Sequence, residues 1–263
     1  MIKQTTALCA LFGACATFGA GFQVLEQGAS NLGTALAGST ANANADATSA
    51  FWNPSSAFEV GLAAGKTTID SGMNFVIPSF SFTGSSYYTD ASGNPLAPIS
   101  GSNGGNAGEM AYVPNFNLVH MLADDLAITL SITSPYGLET DYDSDWVGRY
   151  QALNSDLTTV DINPSLAYKV NDWLSISGGV SLQYMHAELT QASPTALGDA
   201  EVSLRGQSWG VGGNIGFTIK YAEGGRLAFH WRSEVSQDIT GNQHMTLPAL
   251  GYMRGCFVVR LVM

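Results

Sequence analysis

Residues 126–133 read Leu-Ala-Ile-Thr-Leu-Ser-Ile-Thr, large apolar side chains alternating with small ones. A period of two places Leu126, Ile128, Leu130 and Ile132 on one side of an extended chain and Ala127, Thr129, Ser131 and Thr133 on the other. The pattern recurs in Val160, Ile162, Pro164, Leu166, Tyr168 and Val170, in Leu174, Ile176, Val180, Leu182 and Tyr184, and in Trp209, Val211, Ile215, Phe217, Ile219 and Tyr221. These runs last about ten residues or more, the span a tilted strand needs to cross a bilayer. Strands of soluble proteins commonly stop at about 5–6 residues. Tyr168, Trp173, Tyr184, Trp209, Tyr221 and Trp231 fall near the run ends, where interfacial aromatic girdles sit. The expectation is an all-β fold, a transmembrane antiparallel β-barrel.

Loop lengths orient the chain. The connections 121–125, 170–172 and 222–225 are tight, while 83–108, 135–156 and 190–200 are long and rich in Gly, Ser, Asn and Asp. Outer-membrane barrels have short periplasmic turns and longer external loops. Seven strands are expected, at 60–82, 109–121, 126–137, 157–170, 173–189, 201–221 and 226–241, the first bent by a bulge near Asp70-Ser71-Gly72.

Composition narrows the function. Only 12% of the residues are charged and the net charge is -11, against roughly 25% charged in an average protein, so a medium other than water is expected over much of the surface. With Lys+Arg at 10 and no basic cluster, a nucleic-acid partner is excluded. Residues 1–19 read as a signal peptide, with Lys3 ahead of an apolar core and small residues where a peptidase cuts. Its removal leaves Cys256 alone, so no internal disulfide is expected.

Segment 20–59 is small, polar and unlike a strand, and it ends at the rigid corner Asn53-Pro54 within "FWNPSSAF". It is expected to fold into the lumen as a hatch. Pro135 lacks a ladder donor and Gly137 weakens pairing, so Pro135-Tyr136-Gly137 is the expected break in the wall, a lateral opening. Other motifs fail. Asp141, Asp143 and Asp145 have calcium-loop spacing, but Trp146 and Ala152 stand where Gly and Glu are required. The four His are scattered, "WGVGGNIG" lacks the helix a dinucleotide loop needs, and no nucleophile–base set is visible. No catalytic residue, metal or cofactor is expected.

"AGFQ" (20–23), "SNLGTALAG" (30–38), "WNPS" (52–55), "SPYGLETDYD" (134–143) and "INPSLAYKVNDWLSISGGVSLQY" (162–184) resemble the outer-membrane long-chain fatty acid and hydrocarbon transporters of the FadL/TodX family. The resemblance implies a fourteen-stranded barrel in the bacterial outer membrane with an N-terminal hatch. It also implies passive uptake of hydrophobic molecules that leave sideways through the wall, with Phe22 as the hatch aromatic that touches ligand. It further places the hatch corner beside the break. Where fatty-acid members carry a basic side chain, this chain has Gln191, with His186 nearby. That departure favours neutral or aromatic hydrocarbons over carboxylates, and Arg149 and Arg205 are the remaining candidate anion partners.

The expected partners are hydrophobic small molecules together with outer-membrane lipid and lipopolysaccharide, and the expected state is a monomer. Residues 242–263 break the pattern and read as an atypical tail. Seven strands are half of the family's barrel, so the chain is expected to be truncated, which puts its insertion in question. Two other classes fit part of the pattern: a soluble periplasmic β-protein or adhesin, which would bury the greasy faces internally, and an outer-membrane lipid-modifying enzyme, which would need a polar cluster at the rim.

Overall fold

A computed structural model describes residues 23–196, 198–222, 224–247 and 251–263. The expected signal peptide and Phe22 lie outside the described residues. The chain enters through helix α1 (Ala29–Gly33), a 3-10 turn (Ser39–Ala41), helix α2 (Ser49–Trp52) and a 3-10 helix (Pro54–Val60). Asn53 caps the last of these, its side chain accepting from the Ser55 N–H, with Pro54 in the first turn where no donor is needed.

Among the described residues twelve strands follow: β1 (Thr67–Val76), β2 (Ser86–Thr89), β3 (Pro95–Ile99), β4 (Ala111–Met121), β5 (Leu126–Thr133), β6 (Gly137–Asp141), β7 (Asn154–Lys169), β8 (Leu174–Thr195), β9 (Gly198–Ala222), β10 (Gly225–Arg232), β11 (Ser236–Leu247) and β12 (Gly251–Val262). All but β2 and β3 form one antiparallel sheet in the order β1-β4-β5-β7-β8-β9-β11-β12, with β6 beside β7 and β10 beside β9. The turn from β7 to β8 shows how the sequence sets the corners. The Asn171 side chain accepts from the N–H groups of Trp173 and Leu174 at 3.0 and 2.9 Å, an Asx turn that reverses the chain in three residues.

The two faces of the sheet decide its medium. Val211 and Leu166, from the greasy rows, are 66% and 57% exposed, whereas Ser131 and Asn163, from the polar rows, are wholly buried. A protein dissolved in water has the opposite arrangement, so the exposed apolar band faces lipid. Ring pairs mark one margin of the band, Phe75 edge-on to Tyr112 at 5.5 Å and Tyr184 tilted on Trp209 at 5.3 Å. Exposed Trp173 and Tyr221 mark the other. The polar face is covered by the N-terminal segment: Ala47 and Ala57 join Val119, Met121, Ala127 and Ala167 in a buried apolar cluster.

Several expected boundaries differ. The first strand is Thr67–Val76, not 60–82, because residues 54–60 continue as helix. Its register with β4 is continuous, so there is no bulge at Asp70-Ser71-Gly72. The loop expected at 190–200 is drawn into a long ribbon by β8 and β9, and 83–108 contains the β2–β3 hairpin. The strand expected at 226–241 is two strands. Between the Arg232–Asn214 and Thr240–Gln207 pairs it has one residue more than β9, and Ser233-Glu234-Val235 absorb it. Residues 251–262, expected as tail, pair along their length with β11.

Candidate functional site

The β4–β5 ladder stops at Phe116–Ile132. Beyond it β5 ends, Ser134-Pro135-Tyr136 leave the sheet, and β6 resumes beside β7, with its other edge bridged only near Thr140 to Ala107-Gly108. Residues 111–115 of β4 keep β1 on one side and have no strand on the other. The wall therefore has a gap at the expected Pro135-Tyr136-Gly137. Pro135 offers no N–H with which to carry the ladder across.

In lipid the backbone groups left by such a gap need partners from within the protein. For Ser134 and Pro135 they come from residues 23–27. The Val24 N–H donates to the Pro135 carbonyl at 2.8 Å, and Gln23 and Tyr136 form an antiparallel bridge. Gln27, wholly buried, donates through Nε2 to the Ser134 carbonyl at 2.8 Å and accepts the Ser134 N–H on Oε1 at 3.2 Å. Thr159 Oγ1 donates to the Tyr136 carbonyl at 2.7 Å. On the far side, Asn74 of β1 donates to the Glu26 carbonyl at 2.7 Å. Beside this junction lies a cavity of about 310 Å3 with a largely apolar wall that includes Val24, Phe80, Tyr112, Val113, Leu138 and Leu157. A second hollow, about 500 Å3, lies between Leu130, Leu166 and Val180. Those side chains belong to the lipid-facing row, so it is a notch in the outer surface.

The corner Asn53-Pro54 lies elsewhere than the resemblance implied. It is buried against β9, and residues 23–27 take the place beside the break. Asn53 Nδ2 donates to the Thr218 hydroxyl at 3.2 Å and to the Thr40 carbonyl at 3.0 Å, and Ser55 Oγ lies 2.8 Å from the same Thr218 oxygen. Gly216 makes this approach feasible, since a Cβ there would come within 2.2 Å of Asn53 Oδ1. Charges extend the attachment. Glu59 meets Lys220 at 2.7 Å and Arg226 at 3.1 Å, and Arg226 also donates to the Ala41 carbonyl at 3.0 Å. Arg232 of β10 donates to the Phe51 carbonyl at 2.7 Å, stacks over the Phe51 ring, and reaches the buried Asp161 of β7 at 3.4 Å.

The remaining expected residues are not brought together at the cavity. His186 pairs across β8 with Thr158 and Gln207 and belongs to the outward row that includes Tyr184 and Leu182. Gln191 is exposed beyond them on the same strand. Arg205 is paired with Glu188 at 2.6 Å. Arg149, expected as a ligand contact, is instead a strut between external loops. Its Nε donates to Asp199 at 2.7 Å, Nη1 to the Ser100 carbonyl at 2.8 Å and Nη2 to the Tyr150 hydroxyl at 3.0 Å. The guanidinium hydrogen bond holds the Asp199 carboxyl below the usual carboxylate range, with the Tyr150 hydroxyl adding to it. Tyr150 is itself pushed well above an ordinary phenol, chiefly by burial and then by hydrogen bonds to Tyr88 and Asp199.

Sequence reasoning missed Gln27, Glu59, Asp161, Arg226 and Arg232. Asp161 carried the strongest signal, an ionisable side chain in the middle of a row of small polar residues.

A lipid-facing β-wall with a gap, filled from inside by an N-terminal segment, defines a membrane protein of the outer-membrane barrel class. Residues 10–255 match the family described as outer membrane protein transport protein (OMPP1/FadL/TodX), and the chain belongs to it. It is 30% identical over 250 residues to a long-chain fatty acid transport protein of Salmonella typhi, covering 87% of this chain and 54% of that one. With outer membrane protein P1 of Haemophilus influenzae (strain Rd) it shares 27% over 254 residues, 84% of this chain and 55% of that. Among solved structures, a Pseudomonas aeruginosa FadL homologue superposes with a TM-score of 0.73 at 24% identity, over 85% of this chain and 55% of that one. The Ralstonia pickettii toluene transporter TbuX superposes at 0.60 and 18%, over 80% and 58%. The fold is thus that of the family's outer-membrane barrels, and the chain spans about half the length of the curated relatives it matches.

Proposed function

We propose that the protein takes up hydrophobic compounds, long-chain fatty acids or hydrocarbons, by passive diffusion through a hatch-plugged barrel with lateral exit. The observation that supports this most directly is the gap at Ser134-Pro135-Tyr136, filled from inside by residues 23–27 beside an apolar cavity. In this reading segment 20–59 is the hatch and the external loops capture the ligand. Movement of residues 23–27 then clears the way sideways into the membrane. Burial of apolar area favours the transfer by about 25 cal/mol per Å2, so no energy source is required. The relatives named for fatty acid and toluene transport agree with such a cargo. The exposed apolar band meets outer-membrane lipid, with lipopolysaccharide at the external margin, and one copy suffices.

The test is a reversible lock. Gln23→Cys with Tyr136→Cys, in a background where the exposed Cys256 is Ser, links two bridged positions. Cells carrying the oxidised variant are expected to lose uptake of labelled toluene and to regain it on reduction. Uptake that is equal in both redox states would remove the lateral route.

A further inference from the structure

The cavity beside the gap has a charge that the transport reading alone does not require. Four carboxylates line it, Glu26, Glu109, Glu139 and Asp156, and no Lys, Arg or His does. None of the four is ion-paired among the described residues. Glu139 stands directly opposite Asp156 in the β6–β7 ladder. Like charges so placed oppose pairing. The next position in the row is Glu188, opposite Asp156, and that one does have a counter-ion, Arg205 at 2.6 Å. The row is therefore neutralised away from the gap and left negative at its mouth. The four acids surround the opening without converging: among the described residues no group of three acids, His or Cys is arranged to hold a metal ion.

Glu26 and Asp156 are half-buried and Glu109 and Glu139 are exposed at the rim, so an anion entering the cavity meets a repulsion that is reduced by solvent but not abolished at the short distances inside the opening.

We infer that this opening admits neutral and positively charged hydrophobes and turns carboxylates away, with Glu109, Glu139 and Asp156 as the specificity-determining residues. The inference rests on the transport reading and narrows it. A cavity of about 310 Å3 lies at the small end of ligand pockets, so a compact or single-chain compound fits best.

Entry of dodecanol, dodecylamine and laurate into vesicles containing the purified protein, at pH 8 where laurate is ionised, separates the possibilities. Dodecanol and dodecylamine are expected to enter about tenfold faster than laurate, and Glu139→Gln with Asp156→Asn to raise the laurate-to-dodecanol ratio by a similar factor. Laurate entering wild-type vesicles as fast as dodecanol would overturn the charge filter while leaving transport intact. That wild-type ratio stands whether or not the double variant folds. If none of the three enters faster than into protein-free vesicles, transport and filter fall together.

Discussion

The N-terminal segment meets the wall on two flanks, and the two contacts are built differently. Against β7, β9 and β10 it is tied by Arg232, Arg226, Lys220 and the Asn53–Thr218 hydrogen bond. Against β4 and β5, Asn115, Asn117, Thr129, Ser131 and Thr133 bury amides and hydroxyls with no partner among the described residues. A buried polar group left unpaired costs about 1–3 kcal/mol. The flank that borders the gap holds the segment by apolar packing of Ala47 and Ala57 on Val119, Met121 and Ala127, and most of the unpaired groups lie there, whereas Asn163 and Ser177 are the exceptions on the other flank. A plug anchored on one side and poorly matched on the other is expected to shift away from β4 and β5, opening the inner wall toward the break.

The largest expected effect tests the anchored flank. Arg232→Ala leaves Asp161 buried without its cation, and loss of one partner of a buried pair costs about 3–5 kcal/mol. Urea unfolding in detergent measures it, and a cysteine placed at Ser55 should become reactive in the same variant. Next comes Gly216→Val, which drives a side chain into Asn53 and strips Thr218 of its donor, for about 1–3 kcal/mol in the same assay.

The opposite flank should answer with the opposite sign. Ser131→Ala removes a hydroxyl that has no partner, so stability should hold or rise by up to about 1 kcal/mol. A loss as large as that at Gly216 would mean that the two flanks are equally well made.

The smallest effect concerns neither flank. Asp199 has its folded carboxyl pKa depressed by Arg149. Its stabilising contribution is therefore complete above the ordinary carboxylate value of about 3.9 and disappears as the pH falls through the lower folded value. With Asp199 itself about a third exposed and screened by solvent, the contribution is about 0.2–1 kcal/mol, and protease sensitivity of residues 86–99 should increase only in strong acid.

Much of the wall could be read directly. The rows through Leu130, Ile176 and Ile215 face outward as their spacing requires, and the break falls at Pro135 because its missing donor is a property of the residue itself. Strand β12 was not legible: Arg254 and Arg260 interrupt its apolar residues, and only the β11 partner holds it extended. The split at Ser233-Glu234-Val235 depends on register with β9, which no local pattern encodes. At the site, Asn53-Pro54 announced a corner, but the strand receiving it is set by Gly216, far along the chain.

The sequence by itself determined which face of the strongly alternating strands meets lipid and where the wall must be interrupted, since alternation and a proline's missing N–H act within a few residues. Only the tertiary structure decided what fills the interruption and what holds the filling in place. Gln27 meets Ser134, and Arg232 meets both Phe51 and Asp161, because distant stretches land on the same side of one sheet, and burial then selects the pairs whose polar groups satisfy each other.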